Sequence, residues 1–171
     1  MGEEEKLVKY RRRLPHWRLK GSIYFVTWRS QKMQPHLTPG ERSLVVSALK
    51  YFDLQRYELL AYVVMPDHVH VLVQPLDDYA LQDIVRSWKS YASNRLQRLS
   101  DRCGSLWQDE YFDRIVRDEK EFLKVAEYIL KNPLYLCADN REYLWAGEKV
   151  AKALGLAGTE ARPTDSFPDN R

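Results

Sequence analysis

Tyr57-Glu-Leu-Leu-Ala-Tyr-Val-Val-Met65 and His68-Val-His-Val-Leu-Val-Gln74 are two apolar runs split only by Pro66-Asp67. Both have the β-branched and aromatic character of strands, and so short a break makes them antiparallel neighbours in a hairpin. Successive side chains on a strand point to opposite faces. His68 and His70 therefore emerge together, while Val69, Val71 and Val73 enter a core on the other side. Two imidazoles on one rigid strand are pre-placed to share a divalent cation, for which neutral histidine is a common ligand. The same spacing also fits a half-exposed strand that merely carries two histidines. A pair of ligands is an incomplete site, so the choice turns on a third ligand and a reacting group elsewhere.

Upstream of the hairpin, Ser22-Ile-Tyr-Phe-Val-Thr-Trp-Arg29 reads as a first strand entered after Gly21. Thr38-Pro-Gly-Glu41 opens a helix: Thr38 caps, Pro39 suits the first helical position and Glu41 completes a capping box. Leu44, Val45, Ala48, Leu49 and Phe52 follow at helical spacing. Downstream, a second helix is expected from about Leu81 to Leu99, with Leu81, Ile84, Val85, Trp88, Ala92 and Leu96 as its buried stripe. Tyr111-Phe-Asp-Arg-Ile-Val-Arg117 alternates as a fourth strand. Asp118 caps a third helix, with Glu121 at the reciprocal position, Phe122, Val125, Ala126, Ile129 and Leu130 as apolar positions, and Pro133 as its stop. This order of strands and helices predicts an α+β fold, a ferredoxin-like antiparallel sheet with helices packed on one face. Residues 1–21 read as a basic arm, 22–146 as the folded domain, and 147–171 as a flexible tail.

At 171 residues, with 44% hydrophobic and 30% charged, the chain is long enough for one domain with a real core and too charged for a membrane protein. No apolar run approaches the roughly 18 to 20 residues of a membrane helix. The Met-Gly-Glu-Glu-Glu-Lys start lacks the basic-then-apolar order of a signal peptide. Cys103 and Cys137 lack metal-type spacing, so the expected setting is a reducing cytoplasm with both thiols free. The net charge of +3 is compatible with a nucleic-acid partner. Arg11, Arg12 and Arg13 form one basic cluster. Lys89, Arg95, Arg98 and Arg102 recur along the second helix, with Arg95, Arg98 and Arg102 sharing one face, either as phosphate contacts or as an ordinary solvated face.

The third helix offers the missing groups. Tyr128 and Asn132 lie four residues apart and share a helical face. A tyrosine hydroxyl can act as a nucleophile, and an amide oxygen is a hard ligand suited to Mg²⁺ or Mn²⁺. Lys124, one turn earlier, could hold a phosphate or favour the phenolate. The plain alternatives are a core-edge tyrosine and an asparagine at a helix end beside proline.

The motifs Arg12-Arg13-Leu-Pro-His-Trp17, Tyr24-Phe-Val-Thr27, Val64-Met-Pro-Asp-His-Val-His70, Leu106-Trp-Gln108, Val116-Arg-Asp118 and Tyr128-Ile-Leu-Lys-Asn-Pro133 occur in an order that resembles the REP-associated tyrosine transposases, single-tyrosine members of the HUH superfamily. The resemblance runs from about Arg11 to Trp145. It implies an HUH nuclease fold in which His68 and His70 hold a catalytic Mg²⁺ or Mn²⁺ and Tyr128 is the nucleophile. Asn132 stands where the superfamily often has glutamine, one methylene longer. The implied activity is cleavage and joining of single-stranded DNA at repetitive palindromic hairpins through a 5′-phosphotyrosine link, by a monomer or homodimer. Two rivals remain at this level: a non-catalytic nucleic-acid-binding module with a relic metal site, and a metallohydrolase of small phosphoesters. Tyr91, on a polar stretch of the second helix, is the competing tyrosine.

Overall fold

In the computed structural model, residues 21–135 and 142–156 are described. The hairpin forms as expected, with β2 (Tyr57–Val64) antiparallel to β3 (His68–Pro75), and it occupies the middle of a five-stranded antiparallel sheet. On one side β1 (Tyr24–Arg29) pairs with β3 and is followed outward by β4 (Phe112–Ile115). On the other side β5 (Leu144–Ala146) pairs with β2. The helices are α1 (Pro39–Lys50), α2 (Leu81–Leu99), α3 (Glu119–Lys131) and α4 (Glu148–Ala153).

The expectation that the helices share one face needs correction. The α1 and α2 stripes, including Val45, Leu49, Ile84, Val85 and Trp88, pack on Val69, Val71 and Val73. Helices α3 and α4 cover the reverse face, where Val125, Ala126, Ile129 and Val150 pack against Phe25, Leu60, Ala61, Val63 and Leu72. The reason lies in β2. Leu59 through Val64 are all buried, the unbroken apolar pattern of a strand covered on both sides rather than the alternation of a one-sided sheet. A register shift between Leu59 and Ala61 turns Leu60 and Ala61 both toward the second core.

The chain after Trp145 also differs from a loose tail. Leu144, Trp145 and Ala146 pair with Val63, Tyr62 and Ala61, and Val150 of α4 is fully buried. Residues 147–156 therefore belong to the folded domain. The pairing is backbone-driven and α4 is one short turn and a half, so neither left a long periodic signal in the sequence. The arm carrying Arg11, Arg12 and Arg13, Cys137 and residues 157–171 lie outside the described residues; Cys103 is free and exposed. Among the described residues no helix is long and apolar enough to cross a membrane.

The caps explain where the helices begin. Thr38 and Glu41 form the full capping box, with Pro39 in the first turn. Asp118 accepts from the Glu121 backbone N–H, but the Glu121 carboxylate reaches back to Arg117 N–H rather than to Asp118. That shift lets Glu121 also take an ion pair from Arg114 on β4, tying the start of α3 to the sheet edge.

Candidate active site on the second face of the sheet

His68 and His70 project toward the α3 face, while the valines between and after them fill the opposite core. The two rings are 4.7 Å apart between centroids. Each is held through Nδ1. His68 bonds Oδ1 of Asp67 at 2.6 Å, and His70 bonds Oγ1 of Thr27, its register partner on β1, at 2.7 Å. Arg29, opposite His68 in the register, lies 3.5 Å from the same Asp67 carboxylate. Burial pulls the Asp67 carboxyl upward, but the His68 hydrogen bond and the charges of His68, Arg29 and His36 outweigh it and leave its pKa below the ordinary value.

Burial is also the main reason that the His70 pKa falls to about 3, with the neighbouring His68 and Arg29 charges adding to it. His70 is thus neutral across the physiological range. A neutral ring that donates Nδ1–H to Thr27 keeps its lone pair on Nε2. That nitrogen faces the hydroxyl of Tyr128 at 3.3 Å. Phe25 braces both groups: it stacks on His70 at 5.5 Å and meets Tyr128 edge-on at 6.1 Å.

Tyr128 reaches this position from α3 because Val125, Ala126 and Ile129 anchor the helix over Phe25 and Leu72. The ring stays 47% exposed, so its hydroxyl is open to a large substrate while lying against a buried imidazole. Asn132 is the C-cap of α3, one turn beyond Tyr128, and is buried. No hydrogen bond joins its amide to either imidazole among the described residues. Lys124 is exposed one turn before Tyr128 and likewise makes no hydrogen bond to the phenol.

The donor chemistry fits a divalent ion. A metal-bound histidine uses a neutral ring whose other nitrogen is bonded to a carboxylate or oxygen acceptor, and both rings have that partner here. Among the described residues no three or more His, Cys, Asp and Glu side chains cluster as a metal site. Two imidazoles leave most of a divalent ion's positions to oxygen donors, which Mg²⁺ and Mn²⁺ prefer.

The basic residues read from the sequence do not form one surface. Arg102 lies beyond the end of α2, half-buried overall, with its side chain only 6% exposed. Its Nε and one terminal nitrogen hold the Glu41 carboxylate, and its other donors go to Gln34 and to the carbonyls of Pro35 and His36. All five guanidinium hydrogens are thereby used, leaving none for a phosphate. The Lys89 ammonium donates to the carbonyls of Gln108 and Asp109, pinning α2 to the segment before β4. Arg95 and Arg98 are exposed on α2, across the sheet from the imidazoles. Tyr91 shares that remote face, which separates it from the histidines and leaves Tyr128 as the tyrosine beside them. Trp107 is a core residue, edge-on to Trp28.

Thr27, Phe25 and Asp67 were not singled out from the sequence as functional residues. Thr27 and Phe25 sit in a run that reads fully as strand. Only knowledge of which β1 residue lies opposite His70 would have exposed Thr27.

The description "Transposase IS200 like" fits a family model that matches residues 22–132, a span containing both histidines, Tyr128 and Asn132. An uncharacterized protein of Haemophilus influenzae is 30% identical over 95 residues, covering 43% of this chain and 52% of that protein, so the chain spans about half of that relative's length. A REP-associated tyrosine transposase of Escherichia coli is 24% identical over 132 residues, covering 75% and 73% of the two chains. A solved REP-associated tyrosine transposase bound to a REP hairpin is 22% identical and superposes with a TM-score of 0.61, covering 75% of this chain and 74% of that one. That likeness is one of fold, and it agrees with the α+β antiparallel sheet described above. The chain therefore belongs to the IS200-like transposase family, a family of enzymes, and is similar within it to the REP-associated tyrosine transposases.

Proposed function

We propose that the chain is a metal-dependent single-stranded DNA endonuclease and strand transferase that acts on hairpin DNA through a covalent 5′-phosphotyrosine at Tyr128. The observation that carries this reading is the Tyr128 hydroxyl lying 3.3 Å from Nε2 of a neutral, buried His70, with His68 beside it. The solved relative bound to a REP hairpin suggests the kind of DNA. His68 and His70 would hold the ion, and Asn132 is the candidate for an added oxygen donor. When bound, Mg²⁺ or Mn²⁺ supplies charge neutralisation and polarisation at the scissile phosphate.

The chain's own groups do the rest. Asp67 and Thr27 engage Nδ1 of each ring and so orient Nε2 toward the site, and Phe25 limits the swing of Tyr128. The Tyr128 oxygen attacks phosphorus, the bond from phosphorus to the 3′-oxygen breaks, and the phenolic proton is balanced by the proton that ends on the released 3′-hydroxyl. Attack by a 3′-hydroxyl on the phosphotyrosine reverses the exchange and joins strands without ATP. Lys124, exposed one turn away, contributes positive charge along the approach of the DNA backbone. A relic site would have no need to keep a half-exposed phenol against a neutral imidazole, which favours catalysis over simple binding.

The test is incubation of the full chain with a DNA hairpin carrying single-stranded flanks, with Mn²⁺ and with EDTA. A protein–DNA adduct that survives denaturation, requires Mn²⁺ and disappears in Tyr128→Phe is the expected result. Binding without adduct or nicking under these conditions would overturn the proposal.

A further inference from the structure

On the face of the sheet away from Tyr128, α1 and α2 carry an exposed aromatic ladder that the active site does not use. Tyr51, just after α1, is 64% exposed and stacks on Tyr91 of α2, itself 41% exposed, at 6.2 Å and 23°. Phe52 meets Tyr51 edge-on at 4.6 Å, and the Arg56 guanidinium lies 3.5 Å from the Phe52 centroid. Arg95 and Arg98 follow Tyr91 by four and seven residues, so they extend the same helical face. Both are exposed, and no ion pair joins either to an acid among the described residues. No acidic residue occurs between Asp83 and Asp101, so most of α2 presents only neutral and basic groups to solvent.

Single exposed rings are ordinary, but Tyr51, Phe52 and Tyr91 meet in one contiguous, partly exposed patch, which marks an interaction site. Two near-parallel ring faces beside unpaired guanidinium groups match unpaired nucleobases on a phosphate backbone, where stacking supplies sequence-tolerant affinity and arginine neutralises charge.

We infer that the Tyr51–Tyr91 platform with Arg95 and Arg98 is a second, non-catalytic binding surface for single-stranded nucleic acid. The inference rests on the reading that the chain handles single-stranded DNA. The turn that bears Tyr51, Phe52 and Arg56 adjoins the start of β2, whereas His70 pairs with Val63 near its end, on the order of 20 Å along the hairpin. A strand held at Tyr128 must round the sheet to reach the platform, so the platform takes a stretch separate from the reacting phosphate.

The test uses the full chain and fluorescein-labelled dT12, with a labelled 12-base-pair duplex as comparison, titrated by anisotropy at several salt concentrations. Circular dichroism melts verify folding. Tyr51→Ala/Tyr91→Ala is expected to weaken dT12 binding by roughly 5- to 150-fold per stacked base lost, and to leave duplex binding within about twofold. Tyr51→Phe/Tyr91→Phe keeps the ring faces and should bind as the parent does. Arg95→Ala/Arg98→Ala should reduce the dT12 salt slope by about 1.4, at roughly 0.7 per phosphate contact. Unchanged dT12 affinity in the double alanine variant overturns the inference, as does a change in sedimentation that shows the rings to be a contact between copies of the chain. Adduct formation at Tyr128 is scored separately: a parent that forms adduct while these variants bind normally refutes the platform alone, and a parent without adduct refutes only the catalytic reading.

Discussion

Thr27 and His70 face each other across β1 and β3, and the Thr27 hydroxyl oxygen is 2.7 Å from Nδ1 of His70. The contact occupies Nδ1 and leaves Nε2 for an ion or for the phenol. Thr27→Val keeps the shape and removes the oxygen, so Nδ1 loses its partner and the ring is held less firmly. The expected result is a Mn²⁺ affinity lower by about 10- to 100-fold, read by calorimetry on the DNA-free protein. Thr27→Ser should restore most of it. Equal Mn²⁺ affinity in parent and Thr27→Val would show that the contact is only packing.

Tyr128→Phe removes one oxygen from a half-exposed ring whose hydroxyl, among the described residues, contacts His70 at 3.3 Å. Stability should therefore change by less than about 1 kcal/mol, because little is left unsatisfied. Adduct formation and nicking should vanish, while hairpin affinity stays within a few-fold. Tyr91→Phe, on the far face, should retain full cleavage. The opposite pattern would assign the nucleophile to Tyr91.

Much of this was legible in the sequence because periodicity and capping are local. The hairpin, the Leu81–Leu99 helix and the Thr38-Glu41 capping box can each be read from neighbours a few residues apart, and the pairing of His68 with His70 on one face follows from alternation alone. The reverse-face position of α3 could not be read that way, since it depends on β2 being buried on both sides. Arg102 was misplaced because a long-range contact decides it. Its helical spacing from Arg95 and Arg98 suggested a shared face, but α2 ends at Leu99 and a carboxylate 61 residues away claims the guanidinium.

Val150 tests whether the segment after β5 is part of the cooperative fold. Its side chain is fully buried on α4 against the second core. Val150→Ala deletes two buried methyl groups, and the lost transfer energy plus the residual cavity should cost about 1 to 3 kcal/mol. Urea unfolding should show one transition with a lower midpoint and an unchanged slope. A change within about 0.5 kcal/mol would return residues 147–156 to the status of a tail.

Arg102→Ala strands the Glu41 carboxylate, whose side chain is only 10% exposed, without its guanidinium partner. Breaking such a pair typically costs about 3 to 5 kcal/mol. The Arg102 hydrogen bond is the largest influence on Glu41, working against burial, and with Thr38 and the arginine charge it lowers the carboxyl pKa from 4.5 to about 2. A depressed carboxyl binds fewer protons in the folded state, so its stabilisation is present above pH 4.5 and is lost as the pH falls toward 2. His70 adds a second acid-side loss: folded with a pKa near 3 against an ordinary 6.5, it favours the native state above 6.5 and withdraws that contribution as pH falls through this range. Both groups make the parent progressively less stable in acid. Arg102→Ala should be less stable at neutral pH and lose less further stability between pH 5 and 2, while the decline between 6.5 and 5 persists. Chemical denaturation at stepped pH measures both ranges. A variant with parental stability but weaker, flatter salt-dependent DNA binding would instead make Arg102 a phosphate contact.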